Sequence, residues 1–171
     1  PGLCGICQSD GRVSSTQGGV GRTMPNGCTA AVYTPWGCTV SAGHCGGPNM
    51  QIIQFNVPQS NANCTIAMPP VDDQFPFIRS TGGGPFNPGS DWNVGVTGRN
   101  PSGQTVFQRY GIFLPLATTR ASQLQAVDVY GYGFNTACTL NQTLQRSPGS
   151  GIAAAVPATQ YYYTFGSDIR E

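Results

Sequence analysis

Between Gly27 and Cys45 the chain reads Gly-Cys-Thr-Ala-Ala-Val-Tyr-Thr-Pro-Trp-Gly-Cys-Thr-Val-Ser-Ala-Gly-His-Cys, and this stretch constrains the fold more than any other. Two short apolar runs, Thr29 to Tyr33 and Thr39 to Ala42, flank Pro35-Trp36-Gly37. Such runs on either side of a Pro/Gly turn predict a β-hairpin. Cys28 and Cys45 fall at the far ends of its two arms, where a disulfide can tie them. His44, the only histidine in the chain, emerges where the second arm stops pairing.

One hairpin does not make a core, and composition says what surrounds it. The 171 residues include 24 Gly and 14 Pro, scattered among Ser, Thr, Asn and Gln, which leaves little room for long helices. This is the palette of an all-β protein with many turns. Disorder also favours Gly and Pro, but 39% hydrophobic residues, with 8 Phe, 7 Tyr and 2 Trp, argue for a packed core. Only 9% of residues are charged, the basic ones are all arginine, and the net charge is +1. That balance gives no electrostatic case for a nucleic acid or an anionic membrane as partner. No apolar run reaches the ~18 residues of a membrane-spanning helix. Seven cysteines suit an oxidising compartment, and the odd count leaves one thiol free or paired outside this sequence. Cys4-Gly-Ile-Cys7 has a metal-site spacing, but no second close pair follows, so neither a metal nor a cofactor is expected. No signal peptide is present, so a secreted chain would be seen here in processed form.

Ser41-Ala42-Gly43-His44-Cys45 resembles the histidine motif of trypsin-like (chymotrypsin-fold) serine endopeptidases. In that family small residues precede His-Cys and the partner cysteine lies one hairpin earlier. The Gly-Cys-Thr-Ala start of the first arm fits as well. Gly89-Ser90-Asp91-Trp92-Asn93-Val94-Gly95-Val96 resembles the family's Asp-Trp-Ala-Val or Asp-Ile-Ala-Leu stretch, where the triad carboxylate opens a strand. Alone, an aspartate here reads as a turn residue or a cap. Its place 47 residues after His44, near the family's usual separation, favours the catalytic role. Asp72 and Asp73 compete for that role, but they sit in a Pro-flanked loop with no strand behind them. The resemblance therefore implies His44 as general base, Asp91 as its orienter, a Cys28–Cys45 disulfide, a polypeptide substrate and secretion.

It also implies two antiparallel β-barrels of chymotrypsin type, the second incomplete in this chain. Residues 1–17 are a lead-in, 18–117 the first barrel and 118–171 part of the second. Gly18-Gly19-Val20-Gly21-Arg22 looks like the first barrel strand of bacterial, glutamyl-endopeptidase-like relatives. Ile52 to Val57 alternates, with Ile53, Phe55 and Val57 on one face, as a half-buried strand should. Asn61 to Pro70 and Pro76 to Pro88 are loop-rich, and Gln104 to Tyr110 reads as a strand. Ile112-Phe113-Leu114-Pro115-Leu116 resembles the junction between barrels. Gln125 to Gly133 and Tyr161 to Phe165 are strand candidates beyond it.

The chemistry of the family needs a serine oxygen, an imidazole and a carboxylate in series. Its serine lies in Gly-Asp-Ser-Gly or Gly-Asn-Ser-Gly, and neither occurs here. Counting from Gly131-Tyr132-Gly133 places it a few residues beyond Glu171. Ser150 in Pro148-Gly149-Ser150-Gly151 follows too few strands for a second barrel wall. Ser167 in Gly166-Ser167-Asp168 lacks the following glycine. The expectation is a chain truncated before its nucleophile, which a C-terminal continuation or a second chain supplies. Two other classes remain open: a catalytically inactive protease-like binding module, and a small disulfide-rich adhesive β domain.

Overall fold

The computed structural model describes residues 13–61, 63, 65–82, 90–119, 122, 125–132, 144–156 and 160–163, with residues 13–14, 49, 144–156 and 160–163 described as backbone only. In chain order the elements are β1 (Val13–Ser14), β2 (Val20–Pro25), β3 (Thr29–Val32), β4 (Cys38–Ser41), β5 (Met50–Gln54), β6 (Gln74–Gly82), β7 (Asn93–Thr97), α1 (Val106–Tyr110), β8 (Ala126–Tyr132), β9 (Leu144–Val156) and β10 (Gln160–Tyr163). Strands β2-β3-β4-β7-β6-β5 close into an antiparallel barrel. A second, four-stranded sheet is built on the long β9, which pairs antiparallel with β1, β8 and β10.

The expected hairpin is β3–β4, with Ala31 opposite Val40 and Val32 opposite Thr39. Its turn ends on Gly37 at φ 81, a left-handed backbone in which any side chain would also run into Thr97 Oγ1. Alternation sends Ala30 and Val32 inward to meet Met50, Ile53, Phe55, Phe75 and Val106, which form the barrel core. Each of these side chains larger than alanine, fully buried, contributes about 1.5–3 kcal/mol. Phe55 and Phe75 meet edge to face at 5.8 Å, and Tyr110 packs on both.

Three local expectations need correction. Val57 does not share the barrel face of Ile53 and Phe55. Asn56 has φ 49, which breaks the strand's alternation, and Val57 joins Val20 and Tyr132 in a second cluster. The stretch from Pro76 is not loop, because β6 runs from Gln74 to Gly82 with Pro76 opposite Ile52. Proline is tolerated there because pairing of β6 with β7 begins only at Phe77. Gln104 to Tyr110 is not a strand but the helix α1. Thr105 caps it, accepting from the Gln108 N–H while the Gln108 side chain accepts from the Thr105 N–H, and Gly111 closes it at φ 67.

Tyr132 anchors the second sheet to the barrel. It is 1% exposed, packs with Val20 and Val57, and its N–H donates to Thr29 Oγ1 at 2.8 Å. Nearby, Arg22 is fully buried and donates to Gln54 Oε1 and to the Ala67 carbonyl. Gln54 donates in turn to Gln74, and Gln74 to the Pro69 carbonyl, so buried amides tie β2, β5 and β6 to the loop outside them. Burial pushes the Arg22 guanidinium down to about 10, which leaves it charged at neutral pH. No helix among the described residues is long and apolar enough to cross a membrane.

Candidate active site

His44 sits on a single 3-10 turn, Gly43–Cys45, that follows β4 directly. The turn closes with the Gly46 N–H donating to the Gly43 carbonyl at 3.0 Å. Its position is fixed from three sides. Ser41 Oγ donates to the Thr29 carbonyl at 2.6 Å, pinning the end of β4 to β3. Cys45 is fully buried and bonded to Cys28, which closes the hairpin across a sequence separation of 17. From the third side comes the segment that leads into β7, carrying Asp91.

The Asp91 carboxylate holds the turn and the ring together. Oδ1 accepts from the His44 backbone N–H at 2.8 Å, and Oδ2 lies 2.8 Å from His44 Nδ1. With Nδ1–H donated to the carboxylate, the lone pair of the neutral imidazole is on Nε2. The two side chains are 26% and 22% exposed, partly shielded yet reachable from solvent. Gly43 explains itself here. A Cβ on it would stand 2.8 Å from Asp91 Oδ1 and 2.9 Å from the Trp92 nitrogen, so only glycine lets the carboxylate come this close.

The sulfurs of Cys28 and Cys45 and a ring nitrogen of His44 lie within 4.8 Å of one another. Both sulfurs are committed to the disulfide, however, and a disulfide offers no thiolate to a metal. Cys38 is a free thiol, half-buried on β4. Cys4, Cys7, Cys64 and Cys138 lie outside the described residues.

The competing aspartates have other partners. Asp73 is 4% exposed and accepts from Tyr110 Oη at 2.7 Å, Arg109 Nε at 3.0 Å and Asn56 Nδ2 at 3.3 Å. Burial pushes its carboxyl up, but the three hydrogen bonds and the Arg109 charge outweigh this and hold it below the usual carboxylate range. Burial, with the hydrogen bond to Asp73 behind it, pushes the Tyr110 phenol well above its ordinary value. Asp72 accepts from Ser102 Oγ at 2.7 Å. Of the serines weighed as nucleophiles, Ser150 belongs to β9, opposite Val127, and Ser167 lies outside the described residues.

Reading the sequence misses how β7 faces. The apolar residues in it and just before it point outward: Val96 is 38% and Trp92 47% exposed. The barrel interior receives Asn93, Gly95 and Thr97 instead. Phe77 of β6 takes the space, since a Cβ on Gly95 would lie 2.9 Å from its ring. The signal available in the sequence was the spacing of two small or polar residues and one glycine at every second position.

No family model matches the sequence, and no curated protein is significantly similar to it. Solved structures do match in fold. One is the protease Anisep from Arthrobacter nicotinovorans, with a TM-score of 0.58 and 17% identity over 84% of this chain and 69% of that one. Another is the thermostable serine protease AL20 from an extremophilic microorganism, with a TM-score of 0.54 and 15% identity over 83% of this chain and 68% of that one. The chain thus has the all-β chymotrypsin-like protease fold, with the first barrel closed.

Proposed function

We propose that this chain is the larger part of a secreted serine endopeptidase, in which His44 is the general base and Asp91 its orienter. The observation that carries this reading is the two-point grip of Asp91 on the His44 backbone and ring. A carboxylate used only as a turn cap would need the first contact but not the second.

The chemistry follows from that grip. Asp91 fixes the tautomer that presents a basic Nε2, and it stabilises the ring once the ring is protonated. Nε2 takes the proton of a serine hydroxyl as the oxygen attacks the scissile carbonyl, then returns it to the leaving amine. The serine and the backbone N–H groups that stabilise the oxyanion come from polypeptide beyond Glu171, as a continuation or as a second chain. The substrate is a polypeptide, and the disulfide beside the base is in keeping with an oxidising, extracellular setting.

The test begins with the codons that follow Glu171. A Gly-x-Ser-Gly within about the next twenty, in a product that reacts with a fluorophosphonate serine probe and hydrolyses casein, is the expected result. An immediate stop codon, with no partner polypeptide that restores probe labelling, would reject the enzyme in favour of the inactive binding module.

A further inference from the structure

We infer that Asn93 is a positioning residue for the His44–Asp91 pair, a role that rests on the proposed function and deepens it. Asn93 is the first residue of β7, two places after Asp91 and opposite Ser41 of β4, so the carboxylate sits just ahead of the strand that opens with this amide. It is 2% exposed, and its Oδ1 is buried without a protein partner. A buried amide oxygen in that condition costs stability, so packing alone gives no reason for asparagine here. The stretches that this segment resembles have alanine at the same place.

What the amide touches supplies the reason. The three atoms that a Cβ on Gly46 would meet all belong to Asn93: Nδ2, Cγ at 2.7 Å and Cβ at 3.2 Å. Gly46 is the residue whose N–H closes the turn bearing His44. On the other side, a Cβ on Gly82 of β6 would stand 2.8 Å from Asn93 Cα. The Asn93 backbone therefore lies against β6, and its side chain packs against the end of the histidine turn at Gly46. Asp91 grips that turn at the His44 N–H and ring, and Asn93 packs against it at Gly46, the two residues lying at or just before the start of β7. The distance from Nδ1 to Oδ2 is set by this pair of contacts rather than by Asp91 alone.

Because the chain has one histidine, its Nδ1–H proton gives a single, unambiguous NMR signal, far downfield of the indole signals of the two tryptophans. The measurement uses the complete protein, including any polypeptide that supplies the nucleophile, and the signal is assigned to this ring by its loss in His44→Ala. In the unmodified chain the resonance is present. Asn93→Ala removes it or broadens it beyond detection, through faster exchange with water, while Thr39→Val, which alters another fully buried polar residue of the barrel interior, leaves it sharp. Gly46→Ala drives a methyl into the Asn93 amide and also removes the signal. The double variant Gly46→Ala/Asn93→Ala exchanges one bulk for the other and restores it. That restoration keeps the test valid if either single variant folds poorly. An Asn93→Ala protein that keeps the wild-type resonance and exchange rate overturns the positioning role and leaves the dyad standing. Absence of the resonance in the unmodified chain overturns the dyad, and this inference with it.

Discussion

Two aspartates lie at opposite ends of β6. Asp73 immediately precedes that strand, and Asp91 precedes β7, whose first residue pairs with the strand's last. Both accept several hydrogen bonds, yet their surroundings differ in kind. Asp73 is sealed against Arg109 and Tyr110, and its partners hold it charged. It fastens α1 across the end of the barrel. Asp91 is partly open to solvent and grips a group that can gain and lose a proton. An acid paired with a permanent cation makes a rivet. The same acid paired with an imidazole makes, in the proposed enzyme, a device for moving protons.

Substitution should separate the two roles, and the largest contrast is in turnover. In the complete enzyme, Asp91→Asn is expected to lower kcat by about 10⁴-fold, because the amide favours the wrong tautomer. Asp73→Asn should leave kcat within a few-fold of wild type. Equal losses in a peptide-hydrolysis assay would erase the distinction drawn here. Next comes Gly43→Ala, whose methyl pushes against Asp91 Oδ1. A displacement of about 1 Å at the dyad predicts a fall in kcat of about 10²-fold, with less effect on KM. An unchanged kcat would mean that the grip tolerates slack.

Stability should show the reverse order. Asp73→Asn removes charge-assisted hydrogen bonds and is expected to cost about 2 kcal/mol in urea unfolding, whereas Asp91→Asn should cost less. The effect has a pH signature. With the folded carboxyl held below its unfolded value of about 3.9, its stabilisation is fully present above that value and is lost as the pH falls through the folded one. A plot of Tm against pH should therefore drop on the acid side in wild type, and Asp73→Asn should flatten part of that drop. The smallest effect belongs to the cap that starts α1. Thr105→Ala should cost about 1 kcal/mol, measurable by thermal unfolding, with no change in turnover.

The contact between His44 and Asp91 was legible because its signals are local. Gly-His-Cys, the hairpin behind it and an aspartate opening a strand are each contained in a few neighbouring residues. Ranking Asp91 above Asp73 was possible by resemblance, but the reason Asp73 is occupied was not visible. Its partners Arg109 and Tyr110 lie 36 and 37 residues away, in a segment that reads as strand. That misreading has a chemical source: Val106, Phe107 and Tyr110 suit either element, and the deciding information is the reciprocal Thr105–Gln108 cap. The parity of β7 was hidden for another reason. Trp92, Val94 and Val96 look like core residues, but Phe77 from the adjacent strand already fills the interior, and only Asn93, Gly95 and Thr97 fit around it.

The bond between Cys28 and Cys45 makes a covalent ring of the β3–β4 hairpin, and Trp36 stands 77% exposed at its tip. A nick in that turn would sever the main chain without parting the pieces. Both arms would stay joined at the ring's base, with the imidazole next to the surviving bond. Cleaved protein would then run as one species on a gel until a reductant is added, so a cut at this exposed tryptophan leaves His44 in place.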